Sequence, residues 1–139
     1  MRDVRILVAD DNEDHRFLTS YALRGACRED VGITVLEARD GLETLDYLRG
    51  RGGHEGRALP DIVLLDISLP RMSGLEVLRA VKSEPELRHI PVVILTSSDR
   101  PEDVQAAYSL GANSYVTKSK DLGTLVAYWT RTVTLLDGI

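Results

Sequence analysis

Residues 61–82 read DIVLLDISLPRMSGLEVLRAVK, and this stretch contains one complete strand–helix unit. Ile62–Leu65 is an uninterrupted apolar run, which is typical of a strand buried on both faces. Asp66 ends the run directly. Apolar side chains then recur at helical spacing, at Leu75, Leu78 and Val81. The stretch therefore predicts a buried strand with an acidic end, followed by an amphipathic helix.

The same unit recurs on both sides of this stretch. Further apolar runs occur at Val4–Ala9, Ile33–Leu36, Val92–Leu95 and, more weakly, Tyr115–Val116. Strands that alternate with helices of 10–15 residues form parallel sheets that are covered by helices on both faces. The pattern therefore predicts an α/β fold, a doubly wound five-stranded parallel sheet with strand order 2-1-3-4-5.

Apolar residues share one face in each helical segment. In the first, second and fourth helices these faces are Phe17, Leu18 and Tyr21; Leu42, Leu45 and Leu48; and Val104, Ala107 and Tyr108. A last helix from Ser119 carries an apolar stripe formed by Leu122, Leu125, Val126, Trp129, Val133 and Leu136. Tyr128 and Leu135 lie off that stripe, and with Tyr108 they are the predicted dimer or partner surface.

Composition limits the class of protein. The chain has 139 residues, which predicts a single domain over 1–139, and its net charge of −5 argues against a nucleic-acid surface. The glycine-rich segment Arg49–Arg57 is therefore interpreted as a flexible surface loop rather than a nucleic-acid contact. One cysteine, Cys27, cannot form an internal disulfide. Carboxylates at residue 10 come too early for a signal peptide, so we expect a cytoplasmic protein without a membrane segment.

The acidic residues follow the predicted strands at one edge of the sheet. Asp10 and Asp11 follow the first strand and Asp66 follows the third, and these two strands are neighbours in the predicted order. Their mutual repulsion is relieved by a hard divalent cation such as Mg²⁺. Thr96 and Lys118 end the fourth and fifth strands and would stabilise an anion near the metal. The set predicts phosphoryl transfer onto Asp66, although each residue alone fits a helix cap, a turn or an ordinary strand end.

The chain resembles the receiver domain of bacterial two-component response regulators, which have a flavodoxin-like fold. The matching segments are ILVADDNED, DIVLLDISLPRMSGLEVLRAVK, IPVVILTSS and GANSYVTKS, and together the resemblance covers essentially the whole chain. The turn Leu69-Pro70 and Gly74 also match the pattern of this family. The resemblance implies a domain that accepts a phosphoryl group from a histidine kinase. About 20 residues follow Lys118 and the predicted last helix uses nearly all of them, so we expect no output module.

The resemblance also implies residue roles. Asp66 would be the phosphoacceptor, and Asp10, Asp11, Asp66 and the backbone carbonyl of Ser68 would hold Mg²⁺. Lys118, Thr96 and the backbone of Ser97 would bind the phosphoryl oxygens. Thr96 and Tyr115 would form a switch that alters a protein–protein or dimer surface.

Two positions depart from the family pattern. Ser119 stands where most members have proline, and Ser68 where many have asparagine. A Lys118–Ser119 bond should prefer trans, because a cis bond before a non-proline residue costs about 3 kcal/mol. Ser68 and Ser98 are expected to flank the phosphoryl site, so changing either should alter the lifetime of the acyl phosphate.

The extended loop before the third strand, Ser119 and the aromatic tail resemble the subgroup that serves bacterial phytochromes. This subgroup implies a light-regulated histidine kinase as phosphodonor and a homodimer through the last strand and helices, with an unknown downstream protein. Alternatives are a phosphorelay intermediate, an aspartyl-nucleophile phosphatase or a receiver that acts only as a scaffold. The phosphatase usually has a second aspartate two residues after the nucleophile, where this chain has Ser68.

Overall fold

The computed structural model describes residues 2–25 and 31–118. The strands are β1 (Arg2–Ala9), β2 (Val31–Ala38), β3 (Ile62–Leu65), β4 (Val92–Thr96) and β5 (Ser114–Thr117). The helices are α1 (Glu13–Gly25), α2 (Gly41–Arg49), α3 (Gly74–Ser83) and α4 (Pro101–Ser109). All strand pairs are parallel and the order is β2-β1-β3-β4-β5, which confirms the predicted topology. The predicted last helix from Ser119 and Cys27 lie outside the described residues.

The sheet separates two apolar cores. Every residue of β3 and β4 is buried, because these central strands are covered on both faces. On one face, α1 contributes Ala22 and Leu23 to a core over β1, β3 and β4. On the other face, α2, α3 and α4 pack onto the sheet through Leu45, Leu48, Val77, Leu78, Val81 and Ala107. Helices therefore cover both faces, as predicted.

The apolar face that the sequence predicts for α1 does not contact the core, so this prediction is wrong. Phe17, Leu18 and Tyr21 are 68%, 52% and 66% exposed, and the helix instead buries Arg16, Thr19, Ser20, Ala22 and Leu23. The buried Arg16 guanidinium fixes the rotation of the helix, because it donates to the backbone oxygen of Asp10 and to Glu37. In α2, Leu42 is likewise exposed, whereas Leu45 and Leu48 are buried as predicted.

The β3–α3 turn brings the end of the strand against the start of the helix. The Gly74 amide donates to the carbonyl of Ile67 at 2.9 Å. A Cβ on Gly74 would lie 2.0 Å from the Asp66 carbonyl oxygen, so only glycine fits there. Arg71 turns the chain with a positive φ of 67°, a conformation that costs a residue with a Cβ about 1–2 kcal/mol. Ser73 then caps α3 by accepting from the Glu76 amide.

No helix in the described part of the chain has the length and apolar character that crossing a membrane requires.

Candidate functional site

Three carboxylates meet at the carboxyl ends of β1 and β3. The register pairs Ala9 with Leu65, so Asp10 and Asp66 leave the sheet side by side. Carboxylate oxygens of Asp10, Asp11 and Asp66 all lie within 4.8 Å of one another. Asp10 and Asp66 are buried, whereas Asp11 is exposed. The structure therefore brings together the three acidic residues that the strand order placed there.

Short hydrogen bonds fix the two buried carboxylates. The Asn12 amide donates to Asp10 Oδ1 at 3.0 Å. Asp66 Oδ1 accepts from the Ser68 amide at 3.0 Å and from the Thr96 hydroxyl at 2.8 Å. These bonds restrict the rotation of the two carboxylates. Thr96 is itself 1% exposed, so its hydrogen bond to Asp66 is shielded from water.

Lys118 supplies the positive charge of the site. Its backbone amide donates to the Thr96 carbonyl at 2.7 Å, which places the residue at the end of β5. Its Nζ donates to Asp66 Oδ2 at 2.7 Å and to Asp10 Oδ2. One ammonium among three carboxylates leaves an excess of negative charge. This arrangement attracts a further cation, and its oxygen-only donor set suits a hard divalent ion.

A cleft of about 300 Å³ opens over these groups. Its walls are formed by Asp11, Asn12, His15, Asp66, Ser68, Ser97 and Lys118. Ser68 and Ser97 therefore lie at the site, while the proposed roles of their backbone groups stay predictions. Ser98 differs from the expectation, because its hydroxyl donates to Asp103 at the start of α4 and Ser98 does not line the cleft.

Tyr115 connects β5 with the loop after β4. Its hydroxyl donates to the Ser98 carbonyl at 2.8 Å, two residues beyond Thr96. Burial raises the pKa of the Tyr115 phenol above its ordinary value, so the hydroxyl keeps its proton near neutral pH. Of the predicted partner surface, Tyr108 is 49% exposed on α4. Tyr128 and Leu135 lie outside the described residues.

Asn12 caps α1 by accepting from the His15 amide at 3.0 Å, so of the two candidate caps before this helix, Asp11 and Asn12, it is Asn12 that serves. Two further side chains at the site, those of Arg16 and His15, were not predicted in their observed roles. Arg16 holds the Asp10 backbone oxygen at 2.8 Å. His15, which lacks metal-ligand spacing in the sequence, lies 3.0 Å from Lys118 Nζ. The rotation of α1 brings His15 to the cleft and Arg16 to the Asp10 backbone, and the apolar spacing of that helix predicted a different rotation.

The strand order reverses direction between β1 and β3, and three carboxylates, a threonine and a lysine meet at this point. Doubly wound proteins of this class can bind a divalent cation beside an anion. Residues 6–130 match the response regulator receiver domain. The chain therefore belongs to the response regulator receiver domain family, and the predicted resemblance is confirmed.

Similar proteins extend over nearly the whole chain. Response regulator Rcp1 of the cyanobacterium Synechocystis sp. is 37% identical, with 95% of this chain and 92% of that protein covered. The phosphorylated cyanobacterial phytochrome response regulator RcpA superposes with a TM-score of 0.86 at 35% identity, covering 96% of this chain and 94% of RcpA. The Mn²⁺-bound form of Rcp1 has a TM-score of 0.82 at 34% identity, and the match covers 98% of this chain and 96% of the Rcp1 chain.

Proposed function

We propose that Asp66 accepts a phosphoryl group from a sensor histidine kinase and thereby switches a protein–protein surface. The observation that carries this proposal is the environment of the Asp66 carboxylate. Its Oδ1 accepts from the Thr96 hydroxyl and its Oδ2 from Lys118 Nζ, while two further carboxylates lie within 4.8 Å. A nucleophilic carboxylate is thus surrounded by groups that bind a cation and an anion together.

Asp10, Asp11 and Asp66 fit Mg²⁺, because their oxygens converge and carry more negative charge than Lys118 balances. The backbone carbonyl of Ser68 would complete the protein ligands. Bound Mg²⁺ would neutralise charge on these carboxylates and on the incoming phosphoryl oxygens. The Mn²⁺-bound form of the relative Rcp1 supports a divalent ion in this chain also.

The covalent step exchanges one phosphorus bond for another. An oxygen of Asp66 forms a bond to phosphorus while the bond from phosphorus to the kinase imidazole nitrogen breaks, and the imidazole keeps the electron pair. Lys118 transfers its ionic contact from the Asp66 carboxylate to a phosphoryl oxygen. The Thr96 hydroxyl and the Ser97 backbone amide hold the remaining oxygens. Positioning and charge neutralisation, rather than proton transfer, lower the barrier.

Phosphorylation would reach the surface through Thr96 and Tyr115. A shift of the Thr96 hydroxyl toward the phosphoryl group changes the packing beside β5, where Tyr115 is bonded to the Ser98 carbonyl. The exposed Tyr108 on α4 is the described part of the proposed partner surface. Tyr128 and Leu135 are proposed to continue it, and a second copy of this chain is one proposed partner.

Labelling with a small phosphodonor tests the proposed chemistry. Acetyl phosphate with Mg²⁺ is expected to add one phosphoryl group to the wild-type protein, detected by intact mass. Asp66→Asn should abolish labelling, whereas the matched control Asp14→Asn changes an exposed carboxylate of α1 and should label normally. Labelling of Asp66→Asn, or labelling that persists in excess chelator, would contradict the proposal.

The phosphodonor is proposed to be a light-regulated kinase of the bacterial phytochrome type, because RcpA is a phytochrome response regulator. Phosphotransfer from each histidine kinase of the organism, followed over seconds, should single out such a kinase. Fast transfer from a different kinase class alone would overturn the assignment. Sedimentation with and without an acyl-phosphate mimic tests the homodimer, and a monomer in both states would exclude it.

A further inference from the structure

His15 is a cleft residue that the proposed chemistry leaves without a role. It lies in the first turn of α1, where its backbone amide donates to the Asn12 side chain. Its Nδ1 is 3.0 Å from Lys118 Nζ and 3.9 Å from Asp10 Oδ2. The side chain is 40% exposed and forms part of the cleft wall. The imidazole therefore contacts the ammonium directly and the carboxylates only at longer range.

The contact with Lys118 determines the tautomer of His15. An ammonium group has three donors and no acceptor, so the Nδ1 atom of His15 must accept this hydrogen bond. The three protons of Lys118 Nζ point to three acceptors, namely Asp10 Oδ2, Asp66 Oδ2 and His15 Nδ1. The ammonium is fully bonded in this arrangement.

These three acceptors have different fates in phosphoryl transfer. Asp66 becomes an acyl phosphate, and Asp10 would turn its charge to the divalent cation. His15 Nδ1 is the acceptor whose chemistry does not change. We propose that His15 is a positioning residue, which holds Lys118 at the cleft while the lysine exchanges its carboxylate contacts for a phosphoryl oxygen. This inference rests on the proposed function of Asp66.

The proposal predicts what must be preserved at position 15. Asparagine carries its side-chain oxygen the same number of bonds from the backbone as His15 Nδ1, so it can accept from Lys118. Leucine has a similar shape and offers no acceptor. His89, an exposed histidine before β4, provides a matched control in His89→Leu. The contrast between His15→Asn and His15→Leu therefore isolates the hydrogen bond from the loss of the ring.

The primary measurement is the initial rate of labelling by acetyl phosphate at saturating Mg²⁺. We expect His15→Leu to label about fivefold to tenfold more slowly, the effect of losing one hydrogen bond to a charged group at a partly exposed site. His15→Asn and His89→Leu should stay within about twofold of wild type. Rates for His15→Leu equal to wild type, or no rescue by asparagine, would overturn the proposal.

Two further measurements separate positioning from other roles. In a Lys118→Ala background, His15→Leu should cause no additional loss, because its effect acts through the lysine. An additional loss of similar size would show an independent role and overturn the proposal. Mn²⁺ affinity from water-proton relaxation should be the same in His15→Leu and wild type. A weaker affinity would make His15 a metal ligand instead.

The wild-type and Asp66→Asn proteins distinguish failure of this inference from failure of the proposed function. If wild type is not labelled, or if Asp66→Asn is, the phosphoacceptor assignment fails and the role of His15 fails with it. If wild type labels on Asp66 and His15→Leu labels at the same rate, only the inference about His15 fails. Thermal unfolding of each variant should match wild type, because a slow rate from an unfolded fraction would not support positioning.

Discussion

The helices α1 and α3 both follow an acidic strand end, but different contacts hold them to the sheet. α3 packs through apolar side chains, and Val77, Leu78 and Val81 are essentially unexposed. α1 buries Leu23 in the apolar core, but it also buries Arg16 and leaves Phe17 in solvent. The helix after Asp66 is therefore anchored by apolar packing, whereas the helix after Asp10 is also anchored by polar contacts to the site itself. Four substitutions, in order of expected effect, test this difference.

Leu78→Ala should have the largest effect. Leu78 is 0% exposed, and its truncation leaves a cavity between α3 and the sheet. We expect a loss of about 3 kcal/mol in the free energy of unfolding, measured by urea denaturation. A loss below about 1 kcal/mol would show that α3 does not depend on this packing.

Arg16→Met should have a smaller but clear effect on α1. It leaves the Asp10 backbone oxygen without its 2.8 Å donor and removes the partner of Glu37. The expected loss is about 2 kcal/mol of unfolding free energy, because a buried acceptor then lacks a hydrogen bond. Glu37→Gln is the control and should cost about 0.5 kcal/mol or less, since Glu37 is half-exposed. Equal losses of unfolding free energy in the two variants would show that the ion pair with Glu37, and not the hydrogen bond to Asp10, holds α1 to the sheet.

Arg71→Gly should stabilise the turn before α3. Arg71 has a positive φ of 67°, and relief of this strain exceeds the added chain entropy of glycine by about 0.5–1 kcal/mol. Its ion pair with Asp40 is exposed on the arginine side and contributes little. Arg71→Ala removes that ion pair but keeps the Cβ, so it should give no gain. A gain of the same size in both variants would attribute the effect to charge.

Phe17→Ala should have the smallest effect on stability. The side chain is 68% exposed, so truncation should change the free energy of unfolding by less than about 0.5 kcal/mol. The comparison with Leu78→Ala is direct, because both remove a large apolar side chain from a helix beside the cleft. A loss above about 1 kcal/mol would restore the apolar face that the spacing of α1 predicted.

Much of this architecture could be predicted, because its determinants are local. The apolar run Ile62–Leu65 coincides with β3, and the strand order follows from alternating strands and helices. That order places Asp10 beside Asp66. The positions of the site residues at the strand ends could therefore be predicted from the sequence.

The arrangement of α1 beside the cleft could not be predicted from the sequence in the same way. The apolar spacing of Phe17, Leu18 and Tyr21 is regular, yet the helix is rotated by the buried contacts of Arg16. Those contacts join Arg16 to the backbone of Asp10 and to Glu37 on β2, and the apolar spacing of the helix does not reveal either of them. The position of His15 depends on the same rotation. The Ser98 hydroxyl also depends on tertiary placement, because its partner Asp103 lies on α4.

Asp66 has a tight backbone contact on one side and a side-chain hydrogen bond on the other. On one side, backbone meets backbone so closely that a single methyl group would lie 2.0 Å from the Asp66 carbonyl oxygen. On the other side, Thr96 reaches Asp66 through a hydroxyl on a rotatable bond. We therefore expect a displacement that starts at the Asp66 side chain to move Thr96 and the end of β4 more than it moves the start of α3.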